Sequence, residues 1–168
     1  SITAENDMKP QPTEPAYGQF NWENADKIAN FCRSNGIKLR GHCLMWHAQI
    51  GKWMYQDEKG NLVSKEKLFQ NMKHHITAIM ERYKDVVYAW DVVNEAISDG
   101  GRPVMGQKPS PYRNSPLYQI AGDEFIKKAF IYAREADPNV LLFYNDYNAA
   151  DPQKRDRIYN MVKSMKEE

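Results

Sequence analysis

The segment Tyr88-Ala89-Trp90-Asp91-Val92-Val93-Asn94-Glu95-Ala96 runs through apolar and aromatic residues and closes on an amide beside a carboxyl. Its length and composition predict a strand covered on both faces, as in a parallel sheet. A Glu at the C-terminal end of such a strand stands where barrel enzymes keep their chemistry. Trp90, Val93 and Ala96 give it apolar company, which favours a carboxylic acid that stays protonated near neutral pH. A proton donor of that kind is half of glycoside hydrolysis, which uses two carboxyl groups. Asn94 could hydrogen-bond a sugar hydroxyl beside the reacting carbon. The competing reading is a Glu that caps the following loop or pairs with Arg102.

Three further clusters carry polar chemistry. His42, Trp46, His47 and Gln49 follow one strand and would make a polar pocket with an aromatic wall. Histidine is a common metal ligand, but these two lack a pattern such as His-Glu-x-x-His, and no metal is expected. Glu5, Asn6 and Lys9 form a charged, amide-rich group suited to hydroxyls, or else a solvated turn. Asn145-Asp146-Tyr147-Asn148 places a ring able to stack on a sugar inside an Asx-rich turn. His74-His75 falls within a helix, where adjacent side chains diverge by about 100°. The pair is expected at the surface and core boundary, sharing no ligand.

The elements that must position these groups alternate along the chain. Ser1–Ala4 reads as a strand tail, after which Pro10, Pro12 and Pro15 imply extended, looping backbone. A helix is predicted from Trp22 to Ser34, with Asn21 as N-cap and Gly36 as stop. The strand Ile37–His42 leads into Cys43–His47. A helix from Lys65 to Tyr83 follows, capped by Ser64, with Leu68, Met72, Ile76, Ile79 and Met80 on one face. After the Glu95 strand comes a long Gly- and Pro-rich loop, Ser98 to Ser115. Ser115-Pro116 then opens a helical region ending near Ala136, Val140–Tyr144 is a strand, and Asp151-Pro152 starts a last helix. Strand–helix alternation predicts an α/β fold with parallel strands. Polar clusters follow each strand and no Gly-rich phosphate turn appears, which favours a (β/α)8 TIM barrel over a doubly wound sheet. A complete barrel takes roughly 250 residues, so these units make about half of one.

Composition narrows the partners. Lys and Arg total 23 against 22 Asp and Glu, too balanced for an electrostatic grip on nucleic acid or an anionic membrane. No apolar run approaches the roughly 20 residues of a membrane span. The two cysteines, Cys32 and Cys43, read as buried free thiols. The 168 residues are expected to form one domain, with no separate second domain.

Taken together, the clusters resemble family 10 glycoside hydrolases, the endo-1,4-β-xylanases. The resemblance rests on Thr3–Lys9, on Arg40-Gly41-His42 through Trp46-His47-Ala48-Gln49, on Trp90–Ala96 and on Asn145–Asn148, in the family's order and over essentially the whole chain. It implies a (β/α)8 barrel, a retaining mechanism, no cofactor, and xylan or xylo-oligosaccharides as partners. Glu95 would be the general acid/base. Asn94 and His47 would contact the sugar at the cleavage site, with His42 and Trp46 shaping the same pocket. Glu5, Asn6 and Lys9, helped by Gln49, would bind the next sugar on the non-reducing side, and Tyr147 would face the leaving group. The family's habit implies a secreted or periplasmic setting.

The family's nucleophile is a Glu in a Thr-Glu-Leu-Asp type motif at the seventh barrel strand, and no such segment occurs here. The chain is therefore expected to be a partial catalytic domain, 1–168, spanning barrel strands two to five and needing the remaining segments for activity. The alternatives are another retaining barrel glycosidase acting on glucan or mannan, and a non-catalytic carbohydrate-binding fragment.

Overall fold

The computed structural model describes residues 1–100 and 110–167. Four strands, β1 (Ile2–Thr3), β2 (Leu39–Trp46), β3 (Val87–Asn94) and β4 (Leu141–Asn145), form one sheet in the order β1-β2-β3-β4. Every pairing is parallel. Consecutive order without a reversal is the strand order of a (β/α)8 barrel, since doubly wound sheets reverse at a switch point. Strand β3 is buried along nearly its whole length, whereas Leu141 and Phe143 on β4 are exposed. Position in the sheet explains the contrast: β3 has neighbours on both sides, and β4 is an edge.

Helices cover the outer face. Helix α2 (Glu23–Asn35) ends where Gly36 turns left-handed at φ 62°, a conformation open to Gly at no steric cost. Asn21 is not its N-cap but stands one residue earlier, where its side-chain oxygen accepts from the Glu23 amide. Helix α3 (Lys65–Tyr83) begins as predicted, with the Ser64 side chain accepting from the Lys67 amide. Its stripe Leu68, Met72, Ile76, Ile79 and Met80 is buried, each side chain contributing roughly 1.5–3 kcal/mol by leaving water. Cys32 and Cys43 are buried and unpaired. Among the described residues, no helix is long and apolar enough to cross a membrane.

Three further expectations need correction. The Pro10–Pro15 stretch is not extended throughout: α1 (Pro10–Thr13) is a single helical turn, with proline at its first position. Proline suits that place because the first amide has no intrahelical partner. The region from Pro116 to Ala136 is two helices, α4 (Pro116–Ala121) and α5 (Glu124–Ala136), separated at Gly122 with φ 60°. His74 and His75 do share a partner, and His75 is fully buried. His74 Nε2 and His75 Nδ1 meet opposite oxygens of Glu14 at 3.0 and 2.8 Å. A carboxylate has two oxygens and the rings reach it from different sides, so divergent helix positions still converge. Helix α6 (Pro152–Glu167) closes the described chain. Residues 101–109 of the loop from Ser98 to Ser115, Arg102 included, lie outside the described residues.

Gly41 is fixed by packing. A Cβ on Gly41 would stand 2.2 Å from Cε3 of Trp90, so β2 must be bare where that indole crosses it.

Candidate active site

Sheet register brings the chemistry together. Trp46 pairs with Asn94 and Asn94 with Asn145, so the ends of β2, β3 and β4 form one row. Asn145 Nδ2 donates to Asn94 Oδ1 at 2.9 Å, fixing the buried amide. At the next residue the backbone leaves the strand. Glu95 has φ 55°, in the left-handed region that non-glycine residues seldom occupy. Holding it there costs on the order of 1–3 kcal/mol, a strain that clusters at functional sites.

Three contacts hold Glu95 in place. Its amide donates to the Asn145 carbonyl at 2.9 Å, and its own carbonyl accepts from Arg113 Nε at 2.9 Å. Its carboxylate Oε2 accepts from Trp46 Nε1 at 2.9 Å. The half-buried carboxyl is thus aimed by one indole while its backbone is pinned from both sides.

Trp46 links this carboxyl to the Lys9 cluster. The Lys9 ammonium lies 4.5 Å from the indole ring centre and donates to Asn6 Oδ1 at 2.8 Å. Lys9 is itself buried, and a cation held against an indole keeps both groups in one geometry. His47 packs edge-on to the same indole at 5.8 Å. Burial, followed by the nearby Arg113 charge, pushes its imidazole below the ordinary histidine range, so His47 is neutral near neutral pH. Its Nδ1 is buried without a hydrogen-bond partner among the described residues. Trp46, His47, Asn94, Glu95 and Arg113 line one narrow cavity.

Glu5 and His42 fall in a second depression, lined also by Thr3, Arg40, Asp91 and Asn145 on the open face of the sheet. Asp91 organises it, accepting from Arg40 Nη2 at 2.5 Å and from His42 Nδ1 at 2.8 Å. Burial alone would raise this carboxyl, but the His42 and Arg40 hydrogen bonds outweigh it and hold the pKa below the usual carboxylate range. Gln49 ties its loop to α1, its carbonyl accepting from the Gln11 amide at 3.0 Å.

Tyr147 is joined to Glu95 through Arg113, in a network whose members Asp99 and Arg113 carried no sequence signal. Its hydroxyl donates to Asp99 Oδ2 and accepts from Arg113 Nη2, and the Lys154 ammonium lies 3.7 Å from its ring centre. Lys154 donates to Asp99 Oδ1 at 2.5 Å and to Asp146 Oδ1 at 2.8 Å. Asp146 also accepts from Tyr144, whose hydroxyl accepts the Ile97 amide. The Lys154 ammonium, then the Tyr147 hydroxyl, hold the Asp99 carboxyl down at about 2. Arg113 is the residue that spacing could not reveal, since it lies 18 residues from Glu95 across a loop. A cap signal at Asp151 did place Lys154 in the first turn of α6, where Asp151 Oδ1 accepts its amide at 2.8 Å.

The sequence model of glycosyl hydrolase family 10 matches residues 1–168. The chain belongs to that family. Among its relatives, an endo-1,4-beta-xylanase/feruloyl esterase of Xylanibacter ruminicola is 58% identical over 99% of the chain, which spans 24% of that protein. Endo-1,4-beta-xylanase B of Paenibacillus barcinonensis is 45% identical over 98% of the chain, spanning 48% of its length. A psychrophilic family 10 endo-beta-1,4-xylanase of known structure superposes with a TM-score of 0.93 at 72% identity, over 99% of this chain and 52% of that one. Xylanase XynB from Paenibacillus barcinonensis, complexed with a conduramine derivative, superposes at 0.90 with 44% identity, over 98% of this chain and 48% of that one. The chain thus spans about half of each of these two solved structures, and its four βα units are part of a family 10 (β/α)8 barrel.

Proposed function

We propose that this chain is the acid/base portion of a retaining endo-1,4-β-xylanase. The carrying observation is Glu95, turned out of the end of β3 at φ 55° with its carboxylate on the Trp46 indole N–H. In this reading Glu95 protonates the glycosidic oxygen as the bond breaks, then takes a proton from water as the glycosyl intermediate is hydrolysed. Asn94, fixed by Asn145, offers its amide to the hydroxyl beside the reacting carbon. Neutral His47 contacts the same sugar. His42 and Trp46 shape that pocket, Lys9, Asn6 and Glu5, with Gln49, bind the preceding sugar, and Tyr147 faces the leaving group.

A retaining mechanism needs a nucleophilic carboxylate about 5–5.5 Å from the acid. We assign it to barrel sequence beyond this chain, so the 168 residues alone have little or no turnover. The test is release of reducing ends from xylan and from carboxymethylcellulose, by this chain and by a polypeptide completing the barrel. Xylan-selective turnover by the completed barrel alone is expected. Normal turnover by the isolated chain overturns the assignment of the nucleophile, and preference for carboxymethylcellulose overturns the substrate.

A further inference from the structure

Lys154 is buried, alone among the charged residues of α6. Two effects work against an ammonium there. It is the third residue of α6, and a cation in the first turn opposes the positive end of the helix dipole. Its side chain is only 3% exposed, and a buried charge is costly unless it is paired. Both penalties are offset by two carboxylates, Asp99 Oδ1 at 2.5 Å and Asp146 Oδ1 at 2.8 Å.

The two carboxylates belong to different strand ends, Asp99 beyond β3 and Asp146 beyond β4. Tyr147 is fastened to both. Its hydroxyl donates to Asp99, its amide donates to Asp146 Oδ1 at 2.9 Å, and its ring centre lies 3.7 Å from the Lys154 ammonium. Apart from Arg113, the groups that hold Tyr147 among the described residues are thus Lys154 and the partners of Lys154. Tyr147 is 41% exposed, so the tyrosine can meet a ligand while the lysine stands behind it. Sheet order places this wall. Lys9 follows β1, Trp46 ends β2, Glu95 follows β3 and Tyr147 follows β4, so Glu95 lies between the Lys9 cluster and Tyr147.

We propose that Lys154 is a positioning residue for the leaving-group side of the reaction, fixing Tyr147 through its ring, through Asp99 and through Asp146. That a leaving group lies at Tyr147 rests on the function proposed above. A contact group held in place beforehand loses less freedom when the ligand arrives. Lys154 therefore governs substrates whose leaving group is a saccharide. It matters less where a small aryl alcohol departs without such contacts.

The test uses a polypeptide that completes the barrel and reads kcat/KM on xylohexaose divided by kcat/KM on nitrophenyl β-xylobioside. That quotient does not depend on how much of a preparation is folded. Lys154→Met keeps the length and removes the charge, and should lower the quotient about tenfold. Tyr147→Ala should lower it too, and adding Lys154→Met to Tyr147→Ala should lower it no further, because the lysine acts through the tyrosine. Asp99→Ala, at the exposed end of the same clamp, should shift it in the same direction, and takes the place of Lys154→Met if circular dichroism shows the latter unfolded. An unchanged quotient in the folded variant overturns the positioning role and leaves the proposed function intact. A fall that persists in full in the Tyr147→Ala background overturns Tyr147 as the route. Cleavage of neither substrate by the completed barrel with Lys154 in place overturns the proposed function, and the positioning role with it.

Discussion

Trp46 ends β2 and Glu95 directly follows the end of β3, and a 2.9 Å hydrogen bond from indole nitrogen to carboxylate joins them. That bond links the acid/base candidate to the sugar-binding cluster, because the same indole carries the Lys9 ammonium on its ring. In a barrel that supplies the nucleophile, Glu95→Gln should lower kcat on xylan by about 10²–10⁴, the usual contribution of a positioned proton donor. The fold should be unaffected, as circular dichroism would check. Trp46→Phe keeps the ring but removes the donor, and about a tenfold loss is expected from one charge-assisted hydrogen bond.

Arg113 is a second support of Glu95, acting on its backbone. It donates to the Glu95 carbonyl through Nε and to Tyr147 and Asp99 through Nη2. Arg113→Lys cannot reproduce a planar fork with several fixed donors. Its kcat should fall nearly as far as that of Arg113→Ala, with KM changing less. Rescue of kcat by lysine would show that charge alone matters.

Asp99 gives a pH prediction. Its pKa is depressed to about 2 in the folded chain against an ordinary 3.8. A depressed carboxyl contributes stability that is present above the unfolded pKa and lost as pH falls through the folded one. Wild type should therefore lose more stability between about pH 4 and pH 2 than Asp99→Asn does. Urea midpoints at several pH values would show it. Because the Asp99 side chain is 38% exposed, added salt should shrink the difference.

Glu14 tests the buried hub. Glu14→Ala removes the partner of both His74 and His75, leaving Nδ1 of the fully buried His75 with nothing to bond. A loss on the order of 3 kcal/mol is expected in denaturant unfolding. Glu14→Gln keeps the shape and one acceptor, so it should cost less. An equal loss for both variants would mean that charge, not hydrogen bonding, dominates.

Gly41→Ala places a methyl group 2.2 Å from the Trp90 ring. Overpacking of this kind costs typically about 1–3 kcal/mol. Thermal or urea unfolding would measure it, and a neutral substitution would show that the indole yields.

Much of this was legible in the chain. Polar clusters after apolar runs marked the strand ends, because side chains at the mouth of a buried strand are the first to reach water. Ser64, Ser115 and Asp151 marked helix starts, since each supplies the acceptor that a first-turn amide lacks. These are local rules, and local rules survive without coordinates. The sequence therefore determined the alternating elements and most of the residues around the cleft. Tertiary structure alone decided how they are held. Register aligned Trp46, Asn94 and Asn145 across three strands. Chain reversal brought Arg113, Asp99 and Lys154 onto Glu95 and Tyr147 from segments with no shared spacing. The same reversal turned two divergent histidines toward one carboxylate 60 residues away. Periodicity reports which face a side chain occupies, whereas only the folded sheet and its helices report what waits on that face.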